Sequence, residues 1–231
     1  MIAVFDLDKT LINEDSTTLW SQWLCQNQLV ADIPAYLQRE QALMQQYEAR
    51  QLDIADYIKL TLQPVIHLPF EQMDILVSRF IDEQIKPRIY LQSLALLRQH
   101  QQQGDAVLII SASAQLLVGA IGRRCFHVEH AYGIDVKKTA QNYTTELTGI
   151  VPYQAGKVDK LREYTHQQYG HFADTYFYSD SINDEPLLQL VQFPQVINPD
   201  CKLHQLAQAK QWPIHYFEKT VSEFSDQVMT D

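Results

Sequence analysis

Two aspartates spaced two apart, Asp6 and Asp8, stand directly behind the apolar run Ile2-Ala3-Val4-Phe5, and Lys9-Thr10-Leu11 follows them. A short, wholly apolar run reads as a buried strand. The pair therefore falls at the strand's carboxyl edge, where open α/β sheets bind ligands. Two further apolar runs end in polar residues. Residues 106–110 lead into Ser111-Ala112-Ser113, and Thr175-Tyr176-Phe177-Tyr178 leads into Ser179-Asp180-Ser181-Ile182-Asn183-Asp184. Gly156-Lys157 opens a helix. Taken singly, each is ordinary turn or cap chemistry. Right-handed parallel crossovers, however, bring all the strand ends to one edge of a sheet. Carboxylate pairs, a hydroxyl and a lysine then converge. Several carboxylates in one cleft repel each other unless a hard divalent cation joins them, and Mg²⁺ is the expected occupant. A cation, a lysine, a hydroxyl and a helix N-terminus together suit a phosphate group.

The elements that must position these groups can be read from periodicity. Behind Ile12 the pattern turns helical. Asp15-Ser16-Thr17-Thr18 offers N-cap chemistry, and Leu19, Trp20, Trp23 and Leu24 follow at helical spacing. Further helices are expected over 35–49, 54–62 and 70–84, punctuated by Pro34, Pro64 and Pro69. The tryptophans and leucines of this stretch read as packing residues. From Pro87 the rhythm changes. Helices are expected over 88–103, to about 124, and over 156–169, 186–191 and 202–209. Strands are expected over 106–110, 175–178, 195–198 and 214–217 and a short strand and turn over 126–134, with a polar hairpin arm at 142–148 and a loosely held polar tail after Thr220. Strands alternating with helices imply a parallel sheet covered on both faces. The expected fold is α/β, a Rossmann-like core of residues 1–13 and 87–231 with an all-helical unit, 14–86, inserted behind the first strand.

Bulk properties bound the partners. The 231 residues carry a formal net charge of −10, which disfavours nucleic acid or an anionic membrane as a partner. Three scattered cysteines, Cys25, Cys125 and Cys201, fit reduced thiols in a cytoplasmic protein. The N-terminus has no signal-peptide pattern, and no apolar stretch approaches a membrane span.

With these motifs in order, the sequence resembles the haloacid dehalogenase superfamily of phosphohydrolases over its whole length, and the helical insertion resembles that family's C1 cap. Asp6-Leu7-Asp8-Lys9-Thr10, Ser111, Lys157 and Asp180-Ser181-Ile182-Asn183-Asp184 carry the likeness. The resemblance implies that Asp6 is the nucleophile and that Asp8 protonates the leaving alcohol and then deprotonates water. It implies Mg²⁺ on the Asp6 carboxylate, the Asp8 main-chain carbonyl and Asp180, with Asp184 behind them. Ser111 with Ala112, Lys157 and Asn183 would hold the phosphoryl oxygens. Within the superfamily a dehalogenase needs no acid two residues after the nucleophile, whereas a phosphatase does. Asp8 therefore favours phosphoryl chemistry. The presence of Asp6, Asp8, Lys157 and Asp180 also argues against a non-catalytic binding module. A phosphotransferase would share the same motifs.

The nearest likeness is to the phosphoserine phosphatase-like group (subfamily IB). It rests on Asp15-Ser16-Thr17-Thr18-Leu19-Trp20, Ser111-Ala112-Ser113 and Gly156-Lys157-Val158. Phosphoserine phosphatases grip the substrate carboxylate with a cap arginine, and here Thr61 falls at that place, with Lys59 nearby. The substrate this favours is an amino-alcohol phosphate such as histidinol phosphate, with phosphoserine the alternative. Asp15 would take the amine, with Trp20 or Trp23 beside the imidazole. Arg39 or Arg50 pointing into the cleft would count against it. Cap hinges are expected near Asn13-Glu14 and Lys86-Pro87.

Overall fold

Successive side chains of a strand point to opposite faces, and β1 (Ile2–Phe5) uses both. Ile2 and Val4 join Leu108, Ile110, Leu161 and Phe177 on one side. Ala3 and Phe5 join Ile109, Leu117 and Ile121 on the other. This is why the run has no polar alternation. The computed structural model describes residues 1–218, so the polar tail after Thr220 lies outside the described residues. Behind β1 come the helices α1 (Ser16–Gln26), α2 (Ile33–Glu48), α3 (Ile54–Leu62) and α4 (Phe70–Phe80). There follow α5 (Leu91–Gln102), β2 (Ala106–Ala114), α6 (Gln115–Phe126), β3 (Ala131–Lys138), β4 (Tyr143–Thr148) and α7 (Ala155–Tyr169). The chain continues through β5 (Thr175–Ser179), α8 (Glu185–Leu190), β6 (Phe193–Ile197), α9 (Cys201–Lys210) and β7 (Ile214–His215). The sheet order is β4-β3-β2-β1-β5-β6-β7. Only β4 runs antiparallel to its neighbour. No helix among the described residues is long and apolar enough to cross a membrane.

Several boundaries differ from expectation, among them three at strand ends. β2 runs on through Ser111-Ala112-Ser113 to Ala114, because Ala114 pairs with Ile134 of β3 after a register shift. The serines are thus the end of the strand, not the turn behind it. The strand expected over 126–134 is β3, and it starts later. α6 continues to Phe126 and stops where His127 takes a left-handed conformation (φ 53°). The edge strand expected over 214–217 is only Ile214–His215.

The inserted helices divide in two by packing. Trp20, Trp23 and Leu24 of α1 and Val77 and Phe80 of α4 lie in the same apolar cluster as Phe5, Ile109 and Leu117 beneath the sheet. By contrast, α2 and α3 rest on the β3–β4 arm, with Leu43, Ile58 and Leu62 against Ile134 and Val136. α4 passes through a π-helical turn (Ile81–Ile85) and a 3-10 turn (Lys86–Arg88) on its way back. There the outgoing and returning chains are tied together. The Asn13 N–H donates to the Arg88 carbonyl at 2.8 Å, and the Tyr90 N–H donates to the Leu11 carbonyl at 3.0 Å.

Candidate active site

Asp6 continues the β1 ladder, its N–H donating to the Tyr178 carbonyl at 2.9 Å. The chain then turns sharply. Lys9 takes a positive φ of 55°, and the N–H groups of Thr10, Leu11 and Ile12 all return to the Leu7 carbonyl. This turn delivers Asp8 to the N-terminus of α1. One of its oxygens accepts the Ser16 N–H at 2.6 Å, a favourable place for a carboxylate beside unpaired helix N–H groups. The other accepts the Ser113 hydroxyl at 2.7 Å, while Ser111 stands 3.5 Å away. Ser113 in turn receives the Ser16 and Thr17 hydroxyls at 3.3 Å. The sequence displayed Ser113 inside its Ser-Ala-Ser run, yet gave no reason to choose it as a partner of Asp8. That choice depends on β2 staying extended for two more residues.

Lys157 sits buried at the start of α7 and joins two aspartates. Its ammonium lies 2.8 Å from Asp6 and 2.7 Å from Asp184. Gly156 makes this placement possible, since a Cβ there would meet the Val151 carbonyl oxygen at 1.8 Å. Burial works to lower the lysine's pKa, but Asp184 and Asp6 outweigh it and raise it further. Asp184 also accepts the Ser179 hydroxyl at 2.7 Å. The sequence shows Ser179 at the end of β5 beside Asp180 but assigns it no partner. Asn183 was expected at the phosphate. Its side-chain amide instead donates to the Tyr47 carbonyl of α2 at 3.3 Å, although the residue lines the cleft together with Ser111 and Ala112.

One lysine does not compensate the acids gathered here. Burial first, and then the charges of Asp184 and Asp8, push Asp6 up to about 7 despite Lys157. Asp180, which accepts the Thr10 hydroxyl at 3.4 Å, is raised well above the ordinary range by burial and by Asp6 and Asp184. Buried carboxylates facing one another in this way favour a bound cation. Among the described residues no three His, Cys, Asp or Glu side chains gather as a ready metal cage. A donor set of two carboxylates and a main-chain carbonyl completed by water nonetheless suits Mg²⁺, which keeps several waters. The residues fit the cation.

The cleft above these groups holds about 390 Å³, enough for a small organic ester. Asp15 lines it as expected and also caps α1, accepting the Thr18 N–H at 2.8 Å. Burial, and next the charge of Asp8, push its carboxyl up to about 7. Trp20 must be corrected. It is fully buried, donates its indole N–H to the Thr61 carbonyl at 3.1 Å, and packs on Trp23 and Phe80, so it does not reach the cleft. Trp23 is likewise interior, its indole N–H on Glu83 at 2.6 Å. An amphipathic helix carries large apolar residues on the face that meets its neighbours, and here that face is the core. The aromatic residues lining the cleft are Tyr47 and Tyr57, with Met44 beside them. Thr61 is buried, and its hydroxyl bonds the Tyr57 carbonyl. Arg39 pairs with Asp56, and Arg50 reaches across to Glu185 of α8 at 3.1 Å. No arginine is among the residues lining this cleft.

The family model of haloacid dehalogenase-like hydrolases matches residues 3–189. The chain belongs to this family. As a haloacid dehalogenase-like hydrolase it stands among phosphatases. It is 34% identical over 224 residues to a histidinol-phosphatase of Neisseria meningitidis serogroup C (strain 8013), covering 94% of this chain and 99% of that one. It is 26% identical over 217 residues to the phosphoserine phosphatase SerB1 of Mycobacterium tuberculosis (strain ATCC 25618 / H37Rv), covering 93% and 70%. A crystal structure of a protein of unknown function from Bordetella pertussis Tohama I superposes with a TM-score of 0.85 at 28% identity, covering 95% of this chain and 98% of that one. The α/β core with helices inserted behind the first strand is thus the family fold, and the enzyme is a phosphatase-type hydrolase.

Proposed function

We propose that this hydrolase is a Mg²⁺-dependent phosphomonoesterase of small amino-alcohol phosphates, with histidinol phosphate the favoured substrate. The observation that carries the chemistry is the pairing of Asp6, held by Lys157, with Asp8, held at the N-terminus of α1. In this reading the Asp6 oxygen not engaged by Lys157 attacks phosphorus, and the bond from phosphorus to the substrate alcohol breaks. Asp8 gives its proton to the departing alcohol. Asp8 then takes a proton from water, the water oxygen attacks phosphorus, and the bond to Asp6 breaks to release phosphate. Lys157 and Ser111 hold phosphoryl oxygens, and Ser113 and the Ser16 N–H fix the direction in which Asp8 presents its carboxyl. The Asp6 carboxylate, Asp180 and the Asp8 main-chain carbonyl would hold Mg²⁺, which would offset the charge on the phosphoryl oxygens. Residues 14–86 act as a cap over the core of residues 1–13 and 87–231, excluding water from the reacting ester.

Support for the substrate comes from Asp15, a half-buried carboxylate inside a cleft whose described lining holds no arginine, together with the histidinol-phosphatase likeness. The free cysteines Cys25, Cys125 and Cys201 support a cytoplasmic setting. The test is phosphate release from histidinol phosphate, phosphoserine, sugar phosphates, a nucleotide and an aryl phosphate, with Mg²⁺ and with excess EDTA. The expected result is Mg²⁺-dependent turnover, abolished in Asp6→Asn, with histidinol phosphate well ahead. Phosphoserine ahead would transfer the reading to a phosphoserine phosphatase, with Lys9 or Lys202 at the cleft taking the carboxylate. Phosphate passing to added alcohols in place of water would make the enzyme a phosphotransferase. No release from any ester would end the hydrolase reading.

A further inference from the structure

Two phenols supplied by the inserted helices remain unused by the chemistry above. Tyr47, near the end of α2, and Tyr57, in the first turn of α3, both line the cleft, and Met44 lies one turn before Tyr47. Both hydroxyls stay protonated. Burial raises each well above the ordinary tyrosine value, and the carboxylates they face add to it: Asp184, Asp6, Asp180 and Asp15 for Tyr47, Asp15 and Asp8 for Tyr57. Their positions differ. Among the charges that raise them, Asp184 and Asp6 lead for Tyr47, whereas Asp15 leads for Tyr57.

The main chain of Tyr47 is fixed by the Asn183 amide, and its ring leans on Tyr153 at a centroid distance of 5.9 Å. The Tyr57 helix rests on the β3–β4 arm through Ile58 and Leu62. These are held surfaces. Among the described residues the cations lining the cleft are Lys9 and Lys202, carried by the turn behind β1 and by α9, not by the helices that bear the tyrosines. An ester entering with its phosphate at Asp6 and an amine on Asp15 therefore lays the rest of its body along phenol faces and a thioether, with no positive charge on that wall.

We infer that Tyr47 and Tyr57 are specificity-determining residues of this enzyme, forming an aromatic wall that accepts a flat ring on an amine-bearing phosphate ester. The inference rests on the proposed function and deepens it, for it assigns ring recognition to two residues of α2 and α3. Ring faces stack on planar groups and attract cationic ones. A ring-free amine held on Asp15 brings no planar group to stack along the wall, and a substrate carboxylate would meet the surrounding acids.

The test compares histidinol phosphate, which has ring and amine, with phosphoethanolamine, which has the amine alone, on the wild-type enzyme and on Tyr47→Leu, Tyr57→Leu and the two Phe variants. Each Leu variant is expected to raise KM for histidinol phosphate about tenfold, equivalent to ~1.4 kcal/mol. Its kcat should stay within about threefold, and phosphoethanolamine turnover should be unchanged on the same scale. The Phe variants should keep the wild-type KM for the ring-bearing ester. Equal losses on both esters would overturn the inference, showing that the tyrosines serve only the fold. Unchanged KM for histidinol phosphate in the Leu variants would overturn it too. If the wild-type enzyme ignored both amines, the substrate reading would fail by itself. The wall would then be read from phenyl phosphate against an alkyl phosphate, where loss of ring preference in the Leu variants upholds it and its persistence overturns it.

Discussion

At the residue scale the site is an exercise in compensating buried charge. Lys157 is held between Asp6 and Asp184 at 2.8 and 2.7 Å, and all three are nearly inaccessible to water. Removing one partner of such a group leaves uncompensated charge, at a cost of about 3–5 kcal/mol. Lys157→Met is therefore expected to destabilise the fold by that order in urea unfolding. Phosphate release should fall by at least ~10²-fold, as when a preorganised donor to a transition-state oxygen is lost. A variant within tenfold of wild-type turnover would show that Lys157 does not serve the phosphoryl group. The sequence made Asp6, Asp8, Lys157, Asp180 and Asp184 legible because each lies at a strand end or helix start, where topology alone decides what meets. Trp20 and the two tyrosines were different. Helical spacing shows that a residue lies on an apolar stripe, but which stripe faces the core and which faces the cleft is settled only by how the helix is rotated against its neighbours. Trp20 turned inward, and Tyr47 and Tyr57 turned toward the acids.

At the scale of elements, the alternation of strands and helices behind Pro87 was plain in the sequence because a parallel sheet buried on both faces writes its strands as continuous apolar runs. What stayed hidden was how far β2 extends. Its last residues, Ser111-Ala112-Ser113-Ala114, lack the β-branched and aromatic signal and are held extended by pairing with β3. That extra length brings Ser113 to Asp8. A second hidden device is the tight approach in front of α7. Only a residue without a Cβ fits at Gly156, for the Val151 carbonyl would lie 1.8 Å from a methyl group. Gly156→Ala is expected to push the first turn of α7 outward and carry Lys157 away from Asp6. Activity should drop by tenfold or more while circular dichroism keeps its helical signal, and titration with orthovanadate, a mimic of phosphate, should show weakened binding. Wild-type vanadate affinity in this variant would mean that α7 absorbs the methyl without moving its lysine.

For the whole molecule, the question is which part opens to admit substrate. The sequence drew the line at 14–86 and set hinges near Asn13-Glu14 and Lys86-Pro87. Packing divides that stretch further. α1 and α4 share the cluster beneath the sheet, so swinging them away would expose Trp20, Trp23 and Phe80, each worth up to about 3 kcal/mol of burial. α2 and α3 stand on the β3–β4 arm, and the α2–α3 connection is fastened over the active-site edge by two polar contacts, Arg50 to Glu185 and Asn183 to the Tyr47 carbonyl. The Arg50–Glu185 pair is about one third exposed, so solvent screening holds its worth to about 1 kcal/mol or less. Weak fastening of this kind suits a segment that must release product on every turnover. Opening should therefore be confined to α2, α3 and their connection, with α1 and α4 staying on the sheet. Hydrogen exchange read by mass spectrometry checks this. Arg50→Ala is expected to speed exchange in peptides spanning residues 45–58 by about twofold to fivefold, the range of a sub-kilocalorie change in opening. Peptides spanning 16–26 and 70–80 should keep their wild-type rates. Vanadate with Mg²⁺ should slow the same 45–58 peptides in the wild-type protein, because a filled site holds the tyrosine wall in place. Faster exchange across all four inserted helices would instead mean that the unit moves as one body about the paired crossing of Asn13 and Arg88.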